Sequence, residues 1–186
     1  MAYYLSSPAA PSIEYFTPFT GIMAGIFWQV MREQIAELTE EVSGLQQGDH
    51  LCLFYEKEAA EQMPALVPFI QDGLSQNEQC IYVADDQTVD ELAGRLTQSG
   101  VNVARESQRG HLKLWTRGEW RQPGELSSEK KSQQIREVMK QAAAAGFMGI
   151  RFAVEMTWVL GPDISASQLE HWEATLNTIF VPGSAG

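Results

Sequence analysis

Gln79–Gly100, QCIYVADDQTVDELAGRLTQSG, is the stretch whose reading decides the fold. Its first part, Gln79–Ala84, is a short apolar run with the look of a strand. Its second part, Thr88–Ser99, places Val89, Leu92 and Leu96 on one helical face, and Gly100 stops it. A strand followed at once by a helix suggests a βαβ unit, and the chain repeats the pattern in both directions. Upstream, Leu51–Tyr55 (LCLFY) is a strand candidate. Lys57–Ser75 reads as a helix whose first half should be disturbed by Pro64 and Pro68. Downstream, Val101–Ala104 is weighed as a strand and His111–Trp115 (HLKLW) as another. Ser127 or Ser128 can cap a long helix through Ala145, closed by Gly146. Met148–Val154 is the next strand, Glu155–Leu160 follows it, and a final helix covers Ser165–Phe180. Strands alternating with helices of this length imply a three-layer α/β domain, with a mainly parallel sheet flanked by helices. Ligands in such sheets bind beyond the carboxyl ends of the strands, where strand order reverses.

The rest of the chain divides simply. Residues 1–20 carry Pro8, Pro11 and Pro18 and read as a flexible lead-in. Residues 21–44 form an amphipathic helix by the spacing of Ile22, Ile26, Val30, Ile35, Leu38 and Val42. That helix can pack on the domain, pair with its copy in a homodimer, or continue a signalling helix. The domain proper is expected over residues 48–182.

Composition narrows the function. The 186 residues carry a net charge of −11, which repels phosphate backbones and anionic membranes. Direct nucleic-acid and membrane roles are therefore not expected. Phe19–Val30 is too short to span a bilayer, and residues 1–20 lack the basic start of a secretory signal. The cysteines Cys52 and Cys80 lie in apolar runs, as buried free thiols do, which fits a reducing cytoplasm.

Several chemistries lack their motifs. After Leu51–Tyr55 the chain runs EKEAAEQ, without the glycines and Lys-Ser or Lys-Thr pair that cradle phosphate. GxGxxG, GxSxG, HExxH and CxxC are absent too. What remains is two constellations. His50, Cys52 and Tyr55 fall at the first strand, and alternation puts His50 and Cys52 on one face. Imidazole and thiolate together could hold a metal or a polarisable molecule, although two ligands do not close a metal site. Equally, Cys52 can be a small core residue and His50 a satisfied strand-edge histidine. In the second constellation Arg151, Ala153 and Glu155 share one strand face, with Trp158 beyond. Either Arg151 and Glu155 form an ion pair closing the sheet, or Glu155 sits in a pocket with Trp158 as its wall. Glu119 and Trp120 open a loop, where an exposed Trp suggests a lid or pocket rim.

GDHLCLFY, VPFIQDGL, NEQCIYVADD and RFAVEMTWVL, in that order, resemble the MEDS domain of methanogen and methylotroph sensory proteins, including the regulator of dichloromethane dehalogenase. The resemblance implies a fold similar to RecA- or KaiC-like ATPases without their phosphate loop. It implies a non-catalytic module that senses simple hydrocarbon derivatives in prokaryotic signal transduction and transcription regulation. It places His50, Cys52, Tyr55, Arg151, Glu155 and Trp158 around the pocket. No kinase motif or basic recognition helix is visible, so a partner protein, a kinase or regulator, is expected to carry the output. Two rivals stand beside this reading: a ligand-free docking or oligomerisation module, and an enzyme with Cys52 as nucleophile and His50 as base. The non-catalytic reading predicts that alkylation of Cys52 tracks pH like an ordinary thiol. A rate plateau at neutral pH would mark an activated nucleophile instead.

Overall fold

Every residue of Gln79–Ala84 is buried, because this strand (β1) has a neighbour on each side and helices on both faces. The computed structural model describes residues 36–45, 48–49, 53, 59–85, 87–120, 127–160 and 164–179. The expected lead-in, residues 21–35 and all of the expected Leu51–Tyr55 strand except Leu53 lie outside them.

Among the described residues, 36–43 are helical (α1). A 3-10 turn at Ala59–Gln62 leads into α2 (Met63–Ser75), then β1, α3 (Val89–Gln98), α4 (Val103–Gln108) and β2 (Leu112–Thr116). A short helix α5 (Arg117–Trp120) precedes α6 (Ser128–Ala144), β3 (Ile150–Val154), a second 3-10 turn (Thr157–Leu160) and α7 (Ala166–Ile179). The sheet order is β2-β1-β3, and both pairings are parallel. Tyr82 is in register with Leu114 on one side and Ala153 on the other.

Strand alternation sorts the side chains into two cores. Cys80, Tyr82, Ala84 and Ala153 face α2 and α3, meeting Leu66, Phe69, Ile70, Leu92 and Leu96. Val42 of α1 is buried in that same cluster, with Leu38, Leu45 and Leu53 packed against it. The described part of the N-terminal helix thus packs on the domain. Ile81, Val83 and Phe152 face the other way, toward Ile135 and Val138 of α6 and Trp172, Leu176 and Ile179 of α7. These are the three layers of an α/β domain.

The local signals explain most boundaries. Thr88 and Glu91 form a capping box at the start of α3, and Ser127 accepts from the Lys130 N–H at the start of α6. Gly100 and Gly146 take positive φ just past α3 and α6. Two readings are corrected. Pro64 does not disturb α2 but starts it, in the first turn where a missing N–H costs nothing, and Pro68 is accommodated within the helix. Val101–Ala104 is not a strand: Val101 is core, while the Asn102 side chain accepts from Arg105 N–H and opens α4.

Gly73 of α2 lies against the sheet. A Cβ there would sit 2.6 Å from Cys80 Sγ and 2.7 Å from Arg151 Cδ, whereas one on Gly94 of α3 would meet nothing within 4 Å. Gly→Ala in a helix normally gains about 1 kcal/mol. Gly94→Ala should therefore stabilise by about that much, and Gly73→Ala should destabilise by about 1–3 kcal/mol through overpacking. Denaturant midpoints of the two variants, moving in opposite directions, check this.

Candidate functional site

β1 and β3 are parallel neighbours whose following helices depart to opposite faces: α3 to the first core and α7 to the second. By the rule for parallel sheets, such a divergence marks the crevice position, beyond Ala84 and Val154, where ligands bind. Four polar residues stand there: Asp85 and Gln87 after β1, and Glu155 and Thr157 after β3.

Glu155 is the centre. Its residue is 5% exposed, so its carboxylate must be hydrogen-bonded to stay charged. Its Oε1 accepts from Gln62 Nε2 at 2.9 Å, from the Tyr82 hydroxyl at 2.6 Å and from Gln87 Nε2 at 2.6 Å. Its Oε2 accepts the backbone N–H of Asp85, and its own N–H donates to Val83 O. Burial pushes the Glu155 carboxyl up. The bonds from Tyr82, Asp85, Gln87 and Gln62 outweigh burial and hold it below the usual carboxylate range. Gln87 is oriented in turn by Arg95, whose Nη1 donates to its carbonyl at 2.7 Å.

Asp85 ties the three strand ends together. Its Oδ1 pairs with Arg117 Nη1 at 3.0 Å, and its Oδ2 accepts from the Thr157 hydroxyl. Arg117 begins α5 directly after β2, so loops after β2, β1 and β3 all meet on this one carboxylate. The Asp85 side chain is 3% exposed, whereas that of Arg117 is 57% exposed and covers it from the solvent side.

The residues expected from sequence are distributed differently. Arg151 and Glu155 do not pair. They lie at opposite ends of β3, about 13 Å apart at strand rise. Arg151 belongs to the amino edge: its Nε donates to the Glu78 carboxylate, its Nη1 donates to Phe69 O at 3.2 Å, and it lies over the Phe69 ring. Cys80 is packed beside it. Burial pushes that thiol up to about 12, although Arg151 pulls the other way, so it stays protonated and inert.

Trp120 is not an exposed loop residue. It ends α5, is 4% exposed, stacks near Trp115 and touches Phe152 in the second core, and Lys131 donates to its carbonyl. The rim role foreseen for it is replaced by core packing. Glu119 accepts from the Thr116 N–H and hydroxyl, bonds that lower its pKa and fix the start of α5. His50, Cys52 and Tyr55 lie outside the described residues. Trp158 falls within the second 3-10 turn, directly after Thr157 and three residues past Glu155.

Sequence reasoning missed Gln62, Tyr82, Asp85, Gln87, Arg117 and Thr157. The strand-end rule alone nominates Asp85 and Gln87, since they directly follow β1. Gln62 had no local signal, being 93 residues from Glu155.

Fold and crevice together define a three-layer α/β module with a polar, hydrogen-bonded site at the carboxyl edge of a parallel sheet. The chain belongs to the MEDS family, described as the methanogen/methylotroph, DcmR sensory domain, whose profile matches residues 49–185. Its role is that of a sensory domain. Neither a curated protein nor a solved structure matches the chain significantly. No described helix is long and apolar enough to cross a membrane.

Glu155, with its folded pKa lowered, binds fewer protons in the native than in the unfolded chain. Its contribution is full above the unfolded carboxylate pKa and is lost as pH falls through the depressed native value. Glu155→Gln should cost about 1–3 kcal/mol at neutral pH and flatten the acid limb of stability. Denaturation midpoints against pH for both chains check the slope.

Proposed function

We propose that this domain is a non-catalytic receptor for a small, mostly apolar hydrocarbon derivative, bound in the crevice at the carboxyl edge beside Asp85, Arg117, Glu155 and Thr157. The observation that carries the reading is the buried Glu155 carboxylate with donors from Gln62, Tyr82, Asp85 and Gln87 at the point where β1 and β3 part. Such a group is costly to assemble, and fold stability alone does not require it, since an apolar replacement of a buried charge network is often neutral or better. Its place at the strand-order reversal gives it a use. The family's sensory description supports that use.

Signal transfer needs a ligand that prefers one of two states. Gln62 lies directly before α2, and α2 shares its core with Val42 of α1. A change at Glu155 therefore has a packed route to the N-terminal helix, from which a kinase or regulator could read it. His50, Cys52 and Tyr55 complete the ligand set in this proposal.

Thermal shifts with a panel of small halogenated, methylated and thiol compounds test it. A compound at one hundred times its Kd should stabilise the native chain by about 2.7 kcal/mol. Arg117→Ala should leave the unliganded fold within about 1 kcal/mol, because its ion pair is solvent-exposed on one side, yet weaken the response. Glu155→Gln should abolish it. Equal shifts in all three chains would sink the assignment.

A further inference from the structure

The two acids of the crevice are covered by their own donors. Glu155 accepts from Gln62, Tyr82, Gln87 and the Asp85 N–H, and its residue is buried. Asp85 accepts from Arg117 and from the Thr157 hydroxyl, and its side chain is 3% exposed. A molecule arriving from solvent therefore meets Arg117 before it meets either carboxylate, since the Arg117 side chain is 57% exposed. A guanidinium carries five N–H donors and no acceptor. The contact with Asp85 engages Nη1 and leaves the other nitrogens toward solvent.

Arg117 is also held in place. It opens α5 directly after β2, where Glu119 accepts from the Thr116 N–H and hydroxyl, and the Thr116 hydroxyl accepts from the Glu119 N–H. At the other end of α5, Trp120 is buried against Phe152. The pair with Asp85, at 3.0 Å, then sets the guanidinium beside residues that follow β1 and β3. An ion pair with one partner so open to solvent adds little to stability. A fork of donors fixed at the mouth of a crevice is suited to recognition instead, because its ordering precedes binding. Val154 and Met156, on either side of Glu155 in the chain, are half-buried and supply apolar surface nearby.

We infer that the crevice selects a small neutral molecule with an apolar body and one strong hydrogen-bond acceptor, a carbonyl oxygen in class, which Arg117 holds through the N–H groups not engaged by Asp85. The acceptor follows from the donors on offer. A ligand that only donates would find the carboxylates of Asp85 and Glu155 already occupied and beneath the surface. Neutrality follows from charge. Two carboxylates stand beside one guanidinium, in a chain of net charge −11, so a ligand carboxylate would add a third negative charge to the site. A cation would meet Arg117 first. The inference rests on the crevice reading above, and it adds the class of head group and the residue that determines specificity for it.

2-Butanone and 2-chlorobutane are the probes, since they share a four-carbon body and carry either a carbonyl oxygen or a chlorine, a far weaker acceptor. Binding is followed by NMR titration at the Asp85 and Thr157 backbone amides, in the native chain and in Arg117→Met. That substitution keeps an apolar stem, removes the donors and falls on an exposed side chain, so the fold is retained. In Arg117→Met the dissociation constant of the ketone should rise about tenfold or more relative to that of the chloride. Taking the ratio of the two probes within each chain cancels their different hydrophobicity and any general change at Asp85. An unchanged ratio, with shifts at Asp85 and Thr157, would overturn the acceptor requirement while leaving the crevice standing. Tighter binding of sodium butyrate than of the ketone would sink the neutral head group. If no probe moves the Asp85 or Thr157 amides, inference and crevice fall together.

Discussion

A carboxylate removed from water keeps its charge only if donors replace the water. At Glu155 the donors come from the residue before α2, from the middle of β1 and from the turn after β1. Each of those segments is thereby placed against the end of β3. The order of the strands supplies the rest of the constraint. With β1 between β2 and β3, the chain leaves β1 and β3 toward opposite faces, and the polar residues after each strand are left facing one another. The crevice is thus a product of topology, while its chemistry comes from a single acid.

The α/β class was legible in the sequence because each signal was local. QCIYVA reads as a strand from its own composition, and Thr88, Leu92, Leu96 and Gly100 state a capped, one-faced helix without help from elsewhere. Val101–Ala104 shows where such reading stops. Its valines carry β-propensity, but the Asn102 cap and the burial of Glu106 under Arg105, Arg109 and His111 select a helix instead. Pro64 was misjudged for a related reason. A proline's effect depends on its position relative to the helix start, which neighbours in space help to set.

The site was less legible. Alternation put Arg151 and Glu155 on one face correctly, but a shared face does not imply a shared site. Each acquired partners from distant parts of the chain, Glu78 and Phe69 for one, Gln62 and Tyr82 for the other. Trp120 was mistaken because the pattern after β2 looks like a loop, and the aromatic stack that buries it requires Phe152 from the next strand. The polar residues following β1 were available to a strict use of the strand-end rule.

The two ends of the sheet are built for different tolerances. At the amino end, Gly73, Cys80, Arg151, Phe69 and Glu78 interlock so closely that even one methyl group finds no room. At the carboxyl end the contacts run through long polar side chains and through loops joined at Asp85. The first end tolerates no added volume at Gly73, where a Cβ would press on Cys80 and Arg151. The second, apart from Glu155, ends in polar side chains such as Arg117 that reach solvent and can be exchanged at little cost. An architecture divided in this way can vary the polar side chains at one edge without relearning how to fold.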